Sequence, residues 1–375
     1  MALDQRANQL ADLVLSYSIY VNSQDTLLIR PERFFEEFAN LIAEKAILKG
    51  AKVILEYHTP QQHRSLIERC DPVELAAESA RLCAITEQAT ASVRIDAESD
   101  PFYLKGVDTS KIAAYEKIVV SPLVDRITGD GQNFPGIKWN LVAFPCEGEA
   151  RKAGMSLQEY SDMAFNAMLQ DWSGIGRDMK RYMDIFNDAE EVRVHVPGRT
   201  NIRFSLRNRG GDVCDGKYNL PDGEFFFGPV EDSVNGHIYF PYPATRDSNT
   251  VSGVYLRFQN GKVVEFRAEQ NEEYLAQMLA LDGAKVLGEF GVGCNRGITR
   301  YVDNLLFDEK INGTVHFALG DSYKPPANPL WKGGGLNKSE LHWDLVCELR
   351  PINGNPGGTV YVNGNPVQKN GIWVV

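Results

Sequence analysis

A chain of 375 residues with 43% hydrophobic and 24% charged residues is an ordinary globular protein, long enough for two cores. Its formal net charge of -11 argues against nucleic acid or an anionic membrane as the main partner, and it is compatible with attraction of cations such as a peptide α-amine. The six cysteines form no C-x-x-C pair and read as reduced thiols of a cytoplasmic protein, while the start MALDQRANQL has no basic-then-apolar leader, so neither export nor membrane insertion is expected.

In chain order, Leu10, Leu13, Val14 and Tyr17 recur at helical spacing within 4–20, and Thr26–Arg30 follows as a strand. A second amphipathic helix spans 32–48 through Phe35, Phe38 and Ile42, with Gly50 as its stop, and Lys52–Tyr57 reads as a buried strand. Strand, helix, strand predicts a parallel α/β sheet. The alternation continues with a helix over Val73–Gln88 and strands near Ala91–Ile95, Lys117–Ser121 and Trp139–Phe144. Residues 156–187 read as helical throughout. Beyond Glu191 the chain turns to alternating strands, turns such as Asn260-Gly261 and one helix near Asn271–Leu281, and the tail 351–365 reads as hairpins. The predicted organisation is an amino-terminal parallel α/β domain over 1–187 and a strand-rich α+β domain over 188–375.

The most informative stretch is Gly313–Leu349, which holds two of the six histidines. In Leu341–Cys347 the apolar residues Leu341, Trp343, Leu345 and Cys347 alternate as in a strand, so His342 and Asp344 share the opposite face. On a helix, residues two apart diverge by about 200°. In Thr314–Leu319 the same alternation sets His316 between the small residues Thr314 and Ala318 on the face away from Val315, Phe317 and Leu319. Two imidazoles and a carboxylate in this arrangement are a candidate metal site, to which Tyr323 contributes a phenol.

Two glutamates sit where a carboxylate is unusual. Glu224 directly precedes Phe225, Phe226 and Phe227, and a carboxylate buried there needs a partner or an ion; a turn residue facing water is the alternative. Glu289 lies in Val286–Gly293, a strand-like run whose glycines allow close approach of backbone or ligand. This many carboxylates fits a two-metal site. The glycines of GVGCNRG have G-x-G-x-x-x-G spacing without a βαβ start, which excludes a dinucleotide loop, and no nucleophile-elbow pattern is present.

Taken together, NLPDGE at 219–224, LGEFGVGCN at 287–295, LFDEKINGTVHFALGDSY at 306–323 and GGLNKSELHWD at 334–344 resemble the thermophilic metallo-aminopeptidase family, the aminopeptidase T and S type of peptidase family M29. KGAKVILEYHTP at 49–60 and AGMSLQEYSDMAFNAMLQDW at 153–172 extend the resemblance to the first half. It implies a carboxy-terminal domain holding two divalent cations (Zn, Co or Mn) on Glu224, Glu289, His316, His342 and Asp344, with Glu309 as a further ligand or a supporting carboxylate. Tyr323 falls on the family's active-site tyrosine, and Glu289 is the glutamate assigned to proton transfer. The resemblance further implies a homodimer acting on peptides with a free N-terminus. An iron ring-cleaving dioxygenase of dihydroxypyridines resembles the same scaffold, but carries histidine where this chain has Glu289. A non-catalytic binding protein is the third reading, and it would tolerate loss of ligands that this chain keeps.

Overall fold

The computed structural model describes residues 4–129, 133–246, 249–323 and 334–375; residues 324–333, inside the histidine-bearing stretch, lie outside them. The chain forms two compact units, one of 1–170 with 216–221 and one of 171–215 with 222–375. The helix Trp172–Phe186, on the amino-terminal side of the division expected from sequence, belongs to the second unit because Met179, Met183 and Phe186 join that unit's core. No helix among the described residues is long and apolar enough to cross a membrane.

The first unit is built on five parallel strands, β1 (Thr26–Arg30), β2 (Lys52–Leu55), β3 (Ala91–Asp96), β4 (Lys138–Ala143) and β8 (Asn219–Leu220), in the order β2-β1-β3-β4-β8. Leu27, Leu28 and Ile29 are fully buried, as a central strand covered on both faces requires. The predicted helices appear as Gln5–Leu13, Glu36–Leu48 and Pro72–Thr86. The strand expected near Lys117–Ser121 is instead helical: Glu116–Val120 is a π turn between the helices Thr109–Tyr115 and Ser121–Thr128. Its β-branched residues favour a strand, but Ile112, Tyr115, Val119 and Leu123 recur at helical spacing and are buried together, so packing overrides propensity. The helix expected over 156–187 is broken into Leu157–Met168 and Trp172–Phe186, the second capped by the Asp171 side chain.

The second unit contains two antiparallel sheets. The larger comprises β5 (Val192–Val196), β6 (Thr200–Phe204), β10 (Asn235–Phe240), β13 (Val254–Gln259), β14 (Lys262–Arg267), β18 (Thr359–Val362), β19 (Asn365–Lys369) and β20 (Ile372–Trp373). The smaller comprises β7 (Asp212–Cys214), β9 (Glu224–Phe227), β15 (Leu287–Gly293), β16 (Thr314–Gly320) and β17 (His342–Glu348), in the order β17-β16-β15-β9-β7. The strands β11 (Ala244–Arg246) and β12 (Asn249–Val251) form a separate pair. Asn260 and Gly261, both at positive φ, make the predicted tight turn between β13 and β14.

The two sheets share one core. Phe204 of the larger sheet meets Phe290 and Phe317 of the smaller at ring distances of 4.8 and 5.7 Å. Because side chains alternate along a strand, burying Phe225, Phe227, Phe290, Val292, Val315, Phe317, Trp343 and Leu345 turns their neighbours to the other face. On that face β15 passes β16 with Gly291 opposite His316, and a Cβ on Gly291 would lie 1.9 Å from His316 Nε2. Gly291→Ala is therefore expected to displace the imidazole and to cost about 1–3 kcal/mol, the range for overpacking a filled site. Urea unfolding with an unchanged midpoint would contradict that reading of the sheet.

Candidate metal centre

The outward face of the smaller sheet gathers the sequence-predicted residues. Cross-strand register sets Asp344 beside Ala318 and Ala318 beside Glu289, while His342 pairs with Gly320 and Glu224 with Gly293. Alternation then places His342 and Asp344 on β17, His316 on β16, Glu289 on β15 and Glu224 on β9 over a floor of Ala318, Gly291, Gly293 and Gly320. Small residues leave the space into which the polar side chains converge.

All five are enclosed. His316 is 0% exposed, Glu289 4%, Glu224 5% and Asp344 6%, and only the His342 side chain, at 27%, opens toward solvent. His316 Nε2 stands 3.1 Å from Glu224 Oε2 and 3.2 Å from Glu289 Oε1. His342 Nε2 stands 3.2 Å from Asp344 Oδ2 and 3.8 Å from Glu289 Oε2. His342 Nδ1 lies 2.8 Å from the Asp321 carbonyl; an N–H donated there leaves Nε2 facing the carboxylates with its lone pair.

The electrostatics describe a pocket short of positive charge. Burial opposes ionisation of Glu224, but Lys310 and His316 outweigh it and hold that carboxyl below its usual range. Burial raises Glu289, and the same effect lifts Glu309 to about 8. Burial also opposes the charged imidazoles, yet Glu224 and Glu289 hold His316 well above its ordinary value, and Asp344 lifts His342 to about 10. Without an ion, Lys310 and protons on the imidazoles are the counter-charge.

The donor set fits a divalent metal. One donor atom each from Glu224, Glu289 and His316 lies within 4.8 Å of the others. Glu224 Oε2, Glu289 Oε2 and Asp344 Oδ1 are buried without a directed hydrogen bond, which is costly for carboxylate oxygens unless an ion meets them. Nitrogen and oxygen donors of this kind suit Zn, Co or Mn. Cys214, Asp222 and Glu224 form a second close group, but burial holds the Cys214 thiol well above its ordinary value and so protonated.

Two further expectations find their places. The Tyr323 ring stands at the rim, 5.0 Å from that of His342 and 5.4 Å from that of Phe226. The protein around it, then the charges of Glu289 and Asp344, push its phenol well above the ordinary value. Glu309 contacts Lys310 rather than joining the close donor group. Sequence reasoning missed Lys310, which is fully buried with Nζ 3.3 Å from Glu224 Oε1. It occupies one oxygen of Glu224 and leaves the other aimed at His316. Lys310 follows a one-turn helix, where no periodicity marks a side chain as inward.

With this geometry in hand, comparison with known proteins identifies the family. The family described as thermophilic metalloprotease (M29) matches residues 3–373. Aminopeptidase T of Thermus thermophilus is 25% identical over the whole of both chains, and aminopeptidase AmpS of Bacillus subtilis 23% over 99% of each. Aminopeptidase 2 of Geobacillus stearothermophilus is 26% identical over 99% of this chain and 98% of its own. Among solved structures, wild-type AmpT from Thermus thermophilus superposes with a TM-score of 0.81 at 22% identity, each chain covered completely. The 2,5-dihydroxypyridine dioxygenase of Pseudomonas putida KT2440 superposes at 0.60 with 13% identity, over 100% of this chain and 99% of its own, a likeness of fold. Matched from end to end by its profile, the chain belongs to the thermophilic metalloprotease family, M29.

Proposed function

We propose that the protein is a metal-dependent aminopeptidase that removes the first residue from peptides with a free N-terminus, and that its carboxy-terminal unit is the catalytic one. The observation that carries this reading is the convergence of Glu224, Glu289, His316, His342 and Asp344 on one glycine-floored sheet face. The aminopeptidase names of the relatives support the substrate class.

These five residues would hold two divalent ions, Zn, Co or Mn, which supply a water of lowered pKa and polarise the scissile carbonyl. Glu289 reaches toward both imidazoles, at 3.2 and 3.8 Å, and would be one of the carboxylates that hold the metal. Glu289 would also take a proton from the attacking water and pass it to the leaving amine. The Tyr323 phenol, held protonated, donates a hydrogen bond to the oxyanion of the tetrahedral intermediate. Lys310 fixes which oxygen of Glu224 faces the site, and Glu309 stands behind Lys310 as a supporting carboxylate.

Protein stripped with chelator and resupplied with Zn, Co or Mn is expected to regain release of free amino acid from Leu- and Phe-terminated peptides, with none from N-acetylated ones. His342→Ala and Asp344→Ala each lose at least about tenfold in metal affinity and most of the activity. Full metal content and activity in both variants would overturn the site. No release with any ion, together with Fe(II)-dependent oxygen uptake, would turn the reading to the dioxygenase chemistry of the second fold relative. Family resemblance further supports a cytoplasmic homodimer: light scattering is expected to give twice the chain mass of 41.9 kDa, and 41.9 kDa alone would contradict it.

A further inference from the structure

The amino-terminal unit carries a second cluster of titratable side chains, at the carboxyl ends of its parallel strands. In the order β2-β1-β3 the chain pairs first on one side of β1 and then on the other, so β1 and β3 flank the topological switch point. Open α/β sheets bind ligands in the crevice outside that point. β1 ends in Arg30, and parallel register sets Arg30 directly beside Arg94, so both guanidinium stems leave the same face.

Counter-charge at this pair is incomplete. The Arg30 side chain is half-buried and, among the described residues, makes no hydrogen bond or ion pair. Burial, and next the Arg94 guanidinium, push Arg30 below its ordinary value. Glu56 and Glu78, the carboxylates that act on it, are both engaged by Arg81 at 2.7 and 2.8 Å. Arg94 has only a 3.8 Å approach to Asp96 and remains 65% exposed. A half-buried cation without a partner is costly, and a like charge alongside adds to that cost.

Besides the carboxylates of Glu56, Glu78, Asp96 and Glu98, uncharged hydrogen-bonding side chains line the cluster. The His63 ring stands 6.4 Å from that of His58, 5.6 Å from Tyr103 and 4.6 Å from Tyr115. His63 Nδ1 lies 2.6 Å from the Tyr103 hydroxyl; where that hydroxyl donates, the imidazole proton sits on Nε2, which is buried without a partner. Burial first, then the Arg94 and Arg30 guanidiniums, hold the His63 imidazole down to about 4. His58 and Arg94 are exposed, so the cluster is open to solvent.

We propose that this cluster is an oxyanion site, binding a small phosphate-bearing molecule between Arg30 and Arg94 with His63 Nε2 as a further donor. Paired guanidiniums and an imidazole N–H match a doubly charged tetrahedral oxyanion, whereas a single carboxylate leaves one guanidinium uncompensated. Neither the five residues of the metal centre nor peptide hydrolysis calls for it.

Calorimetric titration of the full-length protein with inorganic phosphate, glycerol phosphate and acetate tests the assignment. Saturable binding of phosphate or the monoester is expected, with acetate at least about tenfold weaker, the loss of one charge-assisted contact. Tighter binding of the monoester identifies a phosphorylated metabolite as the ligand, and equal or tighter binding of inorganic phosphate identifies the free ion. Arg94→Gln, at an exposed position where folding is retained, weakens binding at least about tenfold, and Arg30→Gln abolishes it. The absence of saturable binding, or wild-type affinity in Arg94→Gln with its unfolding temperature preserved, would overturn the proposal.

Discussion

Three carboxylates, those of Glu224, Glu289 and Asp344, are each no more than 6% exposed and share one face of one sheet. Lys310 is the buried ammonium beside them, and it also contacts Glu309. Unpaired charges of one sign in a low-dielectric interior are among the least tolerable features of a fold. Protonated imidazoles relieve the excess without metal, and divalent ions relieve it while using the same oxygens. The burial that makes the cluster costly also makes it selective for cations.

The sheet makes the arrangement reproducible. Period-two alternation turns one set of side chains into a shared aromatic core and the next set into the pocket, so core packing and ligand placement are two faces of the same strands. Slipping β17 by one residue against β16 would send His342 and Asp344 into the core and Trp343 into the pocket. Gly291 and Gly293 then supply depth that larger residues would fill. The phenylalanines at 225–227 show the same division: Phe225 and Phe227 are buried in the core, and Phe226 faces Tyr323.

Much of this was legible from residue order. The H-x-D pair inside an alternating apolar run defines both a strand and the side on which its polar residues fall, and that side is where they lie. Glu289 among glycines was readable for the same reason. The enclosure of Glu224 was left open because a turn and a strand start look alike beside Pro221 and Gly223. Two kinds of feature were not legible. The π turn over Glu116–Val120 carries β-branched residues whose local preference opposes the structure adopted, and only its buried neighbours at helical spacing reveal it. Lys310 is inward by tertiary placement alone. The pairing of Arg30 with Arg94 likewise depends on strand order, which no short stretch of sequence states.

Calorimetric titration of the stripped protein with Zn, in buffers of different ionisation enthalpy near neutral pH, tests the central claim most directly. In the metal-free protein, despite burial, the neighbouring carboxylates lift His342 to about 10 and hold His316 well above its ordinary value, so both carry protons at neutral pH and lose them on becoming ligands. The account predicts an apparent enthalpy that changes with buffer, reporting proton release, and an affinity that rises with pH until His342 is neutral. Binding with the same enthalpy in every buffer and no dependence on pH would show that these imidazoles do not hold the metal.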